Sequence, residues 1–314
     1  MLAATLVHPG SSTNGPTPPA AGGTMPSRPS LKTLLRRGEV LVAPGVFDMI
    51  SARIADRMGF AALYMTGYGT VASHLGLPDA GLASYGEMLA RVQAIAAGTA
   101  TPLIADADTG FGGLLNVART VRGYEAAGVA AIQIEDQVFP KKCGHTPGRR
   151  VVPAAEMVRK LRVACESRSS ADCLIIARTD ARTALGLDEA LRRAEAYAEA
   201  GADILFVESP ESEAEMAAIC ARFDLPCLAN MVEGGRTPVP TRARLAELGY
   251  QVAIFPATGF LAAAHALQGA YGVLREHGSS AGAGLALLPF DAMNRLMGFE
   301  EVWAFERAHA EEPG

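Results

Sequence analysis

From Val40 onward, short apolar runs recur at near-regular intervals along the chain. Those at Val40–Ala43, Ala61–Met65, Leu103–Asp106, Ala130–Glu135, Cys173–Ala177, Ile204–Val207, Cys227–Ala229 and Val252–Phe255 are apolar or β-branched almost throughout, which predicts buried strands. Between them, polar and apolar positions alternate at helical spacing over Phe47–Met58, Tyr85–Ala97, Asn116–Ala127, Pro153–Ser167, Leu187–Ala200, Glu213–Phe223, Thr241–Leu248 and Gly259–His277. Gly128 and Gly201 stand just after helices and Pro153 opens one, as helix-end chemistry requires. Eight strands, each followed by a helix, over roughly 240 residues predict an α/β protein built as a (β/α)8 TIM barrel. An open doubly wound sheet competes, but it calls for a glycine fingerprint after the first strand, and the sequence has none there. The last amphipathic stretch, Phe290 to Ala308, is surplus to the barrel. Its apolar side chains, Trp303 and Phe305 among them, are expected to pack on the barrel or on a partner subunit.

Composition adds boundaries to this pattern. The first 29 residues hold one charged side chain, Arg28, and are rich in Pro, Gly, Ser and Thr, so they are expected to form a disordered leader. Met1 to Val7 lacks the basic region of a secretory signal, and Met25 offers an alternative start. The expected organisation is a leader over 1–29, a barrel catalytic domain over 30–280 and a C-terminal helical segment over 281–314. A net charge of −5 gives no footprint for nucleic acid, and no apolar run is long enough to span a bilayer. Five cysteines without framework spacing point to a reducing compartment and a cytoplasmic location.

The barrel turns the polar residues into a pattern, because chemistry in such folds gathers where the strands end. Tyr64 and Thr66 follow the second strand, Asp106 and Asp108 the third, and Glu135 closes the fourth; Arg178, Glu208 and Asn230 follow the next three. Asp106-Ala107-Asp108 is expected to set two carboxylates on one face of an extended segment, with Glu135 converging on them. Oxygen ligands without paired His or Cys favour magnesium, or manganese, over zinc. The competing reading of Asp-x-Asp is a solvated turn. Thr66-Gly67-Tyr68-Gly69 can present backbone N–H groups to a carboxylate, while Arg178 offers a two-pronged donor and Asn230 a neutral one. Arg178 could instead serve a salt bridge with Asp180 or Glu208, and Asn230 a turn cap. His74 and His265 read as structural.

Cys143 stands apart from the other cysteines. It lies in Lys141-Lys142-Cys143-Gly144-His145, where two lysines and a histidine give an electropositive setting expected to make the thiol chemically available.

Four motifs, in order, now carry a resemblance. Asp106–Gly112, Ile134–Gln137, Lys141–His145 and Ala177–Asp180 together resemble the isocitrate lyase and phosphoenolpyruvate mutase superfamily, over a span from about Val40 to the C-terminus. The Lys-Lys-Cys-Gly-His loop is similar to that of the carbon–carbon lyases, whereas the phosphonate-forming mutases carry Asn-Ser there. Pro78-Asp79 and Asn230–Gly235 resemble the dimethylmalate lyase and petal death protein branch. The resemblance implies a homotetramer, a dimer of dimers with the eighth helix exchanged between subunits. It implies Mg²⁺ bound directly by Asp108, with Asp79, Asp106 and Glu135 acting mostly through water. It also implies retro-aldol cleavage of a small 2-hydroxy di- or tricarboxylate. In that chemistry Cys143, with Lys142 and His145, is the expected proton donor on a loop that closes over substrate, and Gly144 belongs to the same loop. Tyr64 or a metal-bound water takes the hydroxyl proton. Thr66, Gly67, Tyr68, Arg178 and Asn230 hold carboxylates, and Glu208 positions them. An oxaloacetate decarboxylase or hydrolase, a phosphonomutase of the carboxyvinyl-carboxyphosphonate type and a non-catalytic metabolite-binding barrel stand as alternatives.

Overall fold

A computed structural model describes residues 30–144, 146 and 148–310; the expected leader over 1–29 and His145 lie outside these described residues. Eight strands form one parallel sheet: β1 (Leu41–Val46), β2 (Leu63–Met65), β3 (Leu103–Asp106), β4 (Ala131–Glu135), β5 (Leu174–Thr179), β6 (Ile204–Val207), β7 (Leu228–Asn230) and β8 (Val252–Phe255). Their order, β6-β5-β4-β3-β2-β1-β8-β7, runs around a cylinder. A parallel bridge from Leu205 to Cys227, with Leu205 N donating to Pro226 O at 2.9 Å, draws β6 to β7 and nearly closes it. The expected (β/α)8 barrel is therefore the observed one.

The strands are enclosed by α1 (Leu31–Leu35), α2 (Met49–Arg57), α3 (Gly67–Leu75), α4 (Tyr85–Gly98), α5 (Leu114–Ala126), α6 (Ala154–Ser167) and α7 (Ala181–Leu185). The circuit continues through α8 (Leu187–Glu199), α9 (Glu213–Arg222), α10 (Arg242–Leu248) and α11 (Thr258–His277), and ends in α12 (Phe290–Met297) and α13 (Phe299–His309). Several short helices depart from the sequence expectation. The amphipathic α1 plugs the barrel floor through Leu31 and Leu34. The Gly67–Leu75 segment, outside the expected helices, is helical because Thr66 takes an extended conformation and starts a turn that Gly76 ends in the left-handed region. The stretch Phe290–Ala308 is two helices, because Gly298 at φ 90° breaks it. Arg57 donates to Arg295 O at 2.7 Å and Leu296 is buried, so α12 sits on α2, while α13 has no buried residue.

Strand alternation divides the core in two. Ile132 and Ile134 of β4 pack outward against the helices, while Ala131 joins Leu174, Ile176, Ile204 and Phe206 inside the barrel. Continuing that inward register up each strand leads past the last apolar layer to Gln133 and Glu135 on β4, Arg178 on β5 and Asn230 on β7, with Glu208 next in step beyond β6. A single period of two thus makes the floor apolar and the mouth polar. Among the described residues no helix is long and apolar enough to cross a membrane.

Candidate active site

At the C-terminal mouth of the barrel lies a cavity of about 230 Å³. Asp106, Glu135, Arg178 and Asn230 line one side of it, Lys141–Gly144 of the β4–α6 loop another, and Ile254, Phe260 and Leu261 an apolar wall. Thr66, Gly67, Tyr68 and Asp79 complete the lining, so most expected site residues do share one space. Tyr68 is partly exposed and leans on Phe260, with ring centroids 5.2 Å apart. Thr66 makes no side-chain cap, so the N–H groups expected of Gly67 and Tyr68 come from the open N-terminal turn of α3.

The acidic side does not form as an extended Asp-x-Asp would. Asp108 has φ 49°, in the left-handed region, and its N–H donates to Asp106 Oδ1 at 3.0 Å, so a turn rather than strand alternation brings the carboxylates together. Both approach the start of α3. A Cβ on Gly67 would stand 2.6 Å from Asp106 Oδ2 and 3.5 Å from Asp108 Oδ1, which only glycine allows.

The lysines also part company. Lys142 is exposed and is fixed through its backbone, which exchanges hydrogen bonds with the Gln137 side chain. Lys141, expected to flank the thiol, turns inward instead, and its Nζ lies 2.5 Å from Asp79 Oδ1 and 2.7 Å from Asp108 Oδ1. Lys141 is the site residue that sequence reasoning missed, because two adjacent lysines on a loop carry no periodicity to separate them.

The Lys141 ammonium pairs with Asp79 and Asp108, while Asp106 and Glu135 are buried beside them, Glu135 within reach of Arg178. Burial pushes the Asp108 carboxyl up to about 6; Lys141 opposes this, and Asp106 and Asp79 add to it. Burial likewise holds Glu135 well above the usual carboxylate range, against the pull of Arg178. Glu135 Oε1 is buried with no hydrogen-bond partner. Uncompensated hard oxygen donors of this kind fit a divalent cation such as magnesium. Among the described residues no three acidic, His or Cys side chains are drawn together around one point, so water and ligand oxygens would have to complete its shell.

Tyr64 departs from its expected part as a proton acceptor. Its hydroxyl donates to Gln133 Oε1 at 3.0 Å, and burial, then the Asp106 charge, raise its pKa well above the ordinary value. Gln133 passes the chain on, donating to Asp106 Oδ1 at 3.3 Å. Such a tyrosine holds its proton.

On the basic side both readings of Arg178 meet. It grips Asp180 with two hydrogen bonds of 2.8 and 2.9 Å, and it also lies 3.1 Å from Glu208 and 3.3 Å from Glu135. Asn230 Nδ2 donates to Glu208 Oε2 at 2.9 Å, so Asn230 is a member of this network rather than a turn cap. Over it lies the loop. Cys143 is half-buried, its N–H donating to Asp79 O at 3.1 Å, and Gly144 packs on Arg178 and Glu208. Asp136, beside Glu135, faces the other way and accepts hydrogen bonds from Thr179, Arg193, Tyr197 and the Asp180 N–H.

Comparison with known proteins finds several similar chains. A 2,3-dimethylmalate lyase of Eubacterium barkeri is 50% identical over 89% of this chain and 97% of its own length. A 2-methylisocitrate lyase of Aeropyrum pernix is 46% identical over 78% of each chain. The structure of an oxaloacetate acetylhydrolase in complex with the inhibitor 3,3-difluorooxalacetate superposes with a TM-score of 0.85 at 36% identity, covering 91% of this chain and 97% of that one. The phosphoenolpyruvate phosphomutase family model matches residues 31–274, the whole barrel from the floor helix to α11. With its acidic turn, its inward arginine and its cysteine-bearing loop on that barrel, the chain belongs to the phosphoenolpyruvate phosphomutase family, within the isocitrate lyase superfamily.

Proposed function

We propose that the protein cleaves the C2–C3 bond of a small 2-hydroxy di- or tricarboxylate, of the 2,3-dimethylmalate or 2-methylisocitrate type. The products are a 2-oxo acid such as pyruvate and a second carboxylate. The reading rests above all on Cys143 and Gly144 roofing a cavity that pairs buried carboxylates with Arg178 and Asn230. The 50% identity to a dimethylmalate lyase supports it.

Asp108 would hold magnesium, or manganese, directly, with Asp79, Asp106 and Glu135 acting largely through water. When bound, the ion supplies Lewis-acid polarisation of the 2-hydroxyl and its neighbouring carboxylate. Arg178 and Asn230 take oxygens of one carboxylate and the first turn of α3 takes those of another. Glu208 orients both Arg178 and Asn230. Glu135 in its ionised form replaces Tyr64 as the group to accept the 2-hydroxyl proton, since it lines the cavity and its Oε1 has no hydrogen-bond partner. As that proton leaves, C2 becomes a carbonyl and the C2–C3 electron pair moves to C3. Cys143 delivers its thiol proton to C3. His145 joins it by the family pattern. The apolar wall of Ile254, Phe260 and Leu261 suits the alkyl groups of a branched substrate.

The reading of a multi-subunit assembly draws on α11, whose 20 residues include none that is buried and whose Leu267, Tyr271 and Leu274 are exposed away from the cavity. That surface supports a dimer of dimers with this helix exchanged between subunits. Five cysteines, all outside any disulfide, support a cytoplasmic location.

The test is a panel of 2-hydroxy and 2-oxo diacids with Mg²⁺, assayed for release of a 2-oxo acid. Cleavage of a branched malate or methylisocitrate, abolished by chelation, is expected. Hydrolysis of oxaloacetate alone would select the second reading, favoured by the TM-score of 0.85 to an oxaloacetate acetylhydrolase. No product from any of them would refute both.

A further inference from the structure

One residue breaks the apolar stripe of α6. Met157, Leu161 and Ala164 are buried at helical spacing and join the core, and Lys160 is buried among them at 7% exposure. An ammonium in such a place is costly unless it is bonded. Its Nζ donates to Thr109 O at 3.1 Å, and Thr109 is 1% exposed, so the bond is largely shielded from solvent.

Thr109 follows Asp108 directly, and the turn that carries both is strained. Asp108 and Phe111 have φ of 49° and 57°, in the left-handed region, with Gly110 at 84° between them. Such a turn persists only where its surroundings determine it. Here each carbonyl oxygen from Asp106 to Gly110 accepts a hydrogen bond. Tyr124 Oη donates to Asp106 O at 3.3 Å, Gly110 N to Ala107 O at 2.9 Å, Glu135 N to Asp108 O at 2.9 Å and Thr120 Oγ1 to Gly110 O at 3.3 Å, with Lys160 on Thr109 O. Tyr124 and Thr120 belong to α5, which continues the turn, whereas Glu135 and Lys160 reach it from β4 and α6. Lys160 supplies the one charged donor of the five, and charge-assisted bonds are about twice as strong as neutral ones. Its loss would leave a buried carbonyl without a partner one residue from Asp108, and the turn would relax to satisfy it. A change of φ at Asp108 re-aims its carboxylate.

We infer that Lys160 is a positioning residue: by holding the Thr109 carbonyl from α6, it fixes the left-handed turn that aims the Asp108 carboxylate at the metal. The inference rests on the reading of Asp108 as the metal ligand, but it does not require that the substrate be a branched malate.

The probe is Mg²⁺ alone, titrated calorimetrically into the full chain, with hydrogen exchange over residues 106–112 followed by mass spectrometry in chelator. Lys160→Met, which keeps the bulk of the side chain and removes the donor, should weaken Mg²⁺ binding by about 10- to 100-fold and speed exchange in that segment. Lys160→Arg, which keeps a charged donor, should recover the larger part of both. A lysine acting through its charge alone gives the opposite sign, because withdrawing a cation from the neighbourhood of the carboxylates tightens Mg²⁺ binding. A lysine that serves only the scaffold lowers the melting temperature on substitution and leaves Mg²⁺ affinity at its wild-type value. Either result overturns the inference, as does unchanged exchange over 106–112. Should Lys160→Met not fold, Lys160→Gln, a shorter neutral donor, carries the test: the same losses in smaller measure are expected, and wild-type values overturn the inference. A wild type that binds no Mg²⁺ refutes the metal reading and the inference with it, whereas binding that does not depend on Lys160 refutes the inference alone. If no diacid is cleaved yet Mg²⁺ affinity still depends on Lys160, the lyase reading falls and the positioning role stands.

Discussion

Gly144 rests against Arg178 so closely that a Cβ at position 144 would collide with the guanidinium and with the Glu208 carboxylate behind it. No side chain but hydrogen fits between loop and network. Gly144→Ala should therefore hold the loop off the mouth while leaving the barrel intact. The expected outcome is a fall of about 100-fold in kcat/KM, the usual cost of misplacing reacting groups by an ångström, with an unchanged melting temperature. Steady-state kinetics beside a thermal melt check both halves.

Cys143→Ser keeps the shape of the loop and replaces a thiol with a far weaker acid. A proton donor lost in this way lowers kcat by about 100-fold or more with KM changed little, because substrate binding does not use the thiol. Near wild-type kcat would remove Cys143 from the mechanism. Hydrolysis of oxaloacetate by the variant, if retained in full, would place that reaction outside the thiol's role.

Lys141→Met removes the ammonium that pairs with the buried carboxylates of Asp79 and Asp108. Breaking a buried pair from one side costs about 3 kcal/mol or more. Urea unfolding in the presence of a chelator should show that loss. Millimolar Mg²⁺ should recover much of it, because a cation that binds only the folded protein offsets the missing charge. A variant as stable as the wild type in chelator would mean that Lys141 neutralises nothing.

With Asp108 as the proposed magnesium ligand and its carboxyl pushed up to about 6, protons should compete with the ion in a range where ordinary carboxylates are already ionised. The sign is fixed: below that pH the group is protonated and the ion must displace the proton, so affinity falls as pH falls. Calorimetric titration should show Mg²⁺ affinity dropping by up to about tenfold per unit below pH 6 and levelling above pH 7. A flat profile between pH 5 and 7 would assign the metal to other ligands.

These residues differ in how legible they were in the sequence. Asp106, Glu135, Arg178 and Asn230 could be placed because a barrel strand has a period of two and its last inward position faces the mouth. Gln133 obeys the same period yet was hidden within an apolar run, where its links to Tyr64 and Asp106 could not be anticipated. Asp108 was grouped with the right partner for the wrong reason, since its position depends on one left-handed residue. The inward turn of Lys141 was not legible at all, because it lies on a loop whose course is set by a distant contact, Asp79.

The adjacent pair Glu135 and Asp136 separates these effects most sharply. The strand sends Glu135 inward to the cavity and Asp136 outward, where it accepts from Thr179, Arg193, Tyr197 and the Asp180 N–H. Burial makes the ionised form of Glu135 costly, so Glu135→Gln should leave stability in chelator unchanged or raised while activity with Mg²⁺ falls by about 100-fold or more. Asp136→Ala should do the reverse in emphasis. It leaves the Tyr197 hydroxyl without its acceptor and takes from buried Arg193 one of its two carboxylate partners, Glu189 being the other, at a cost of about 3 kcal/mol, whereas the fraction that remains folded keeps the groups that touch substrate. Unfolding curves and kcat measured per folded molecule should therefore cross over between the two variants. Two neighbouring acids with matching effects on stability and on kcat would mean that strand alternation does not divide scaffold from chemistry at this position.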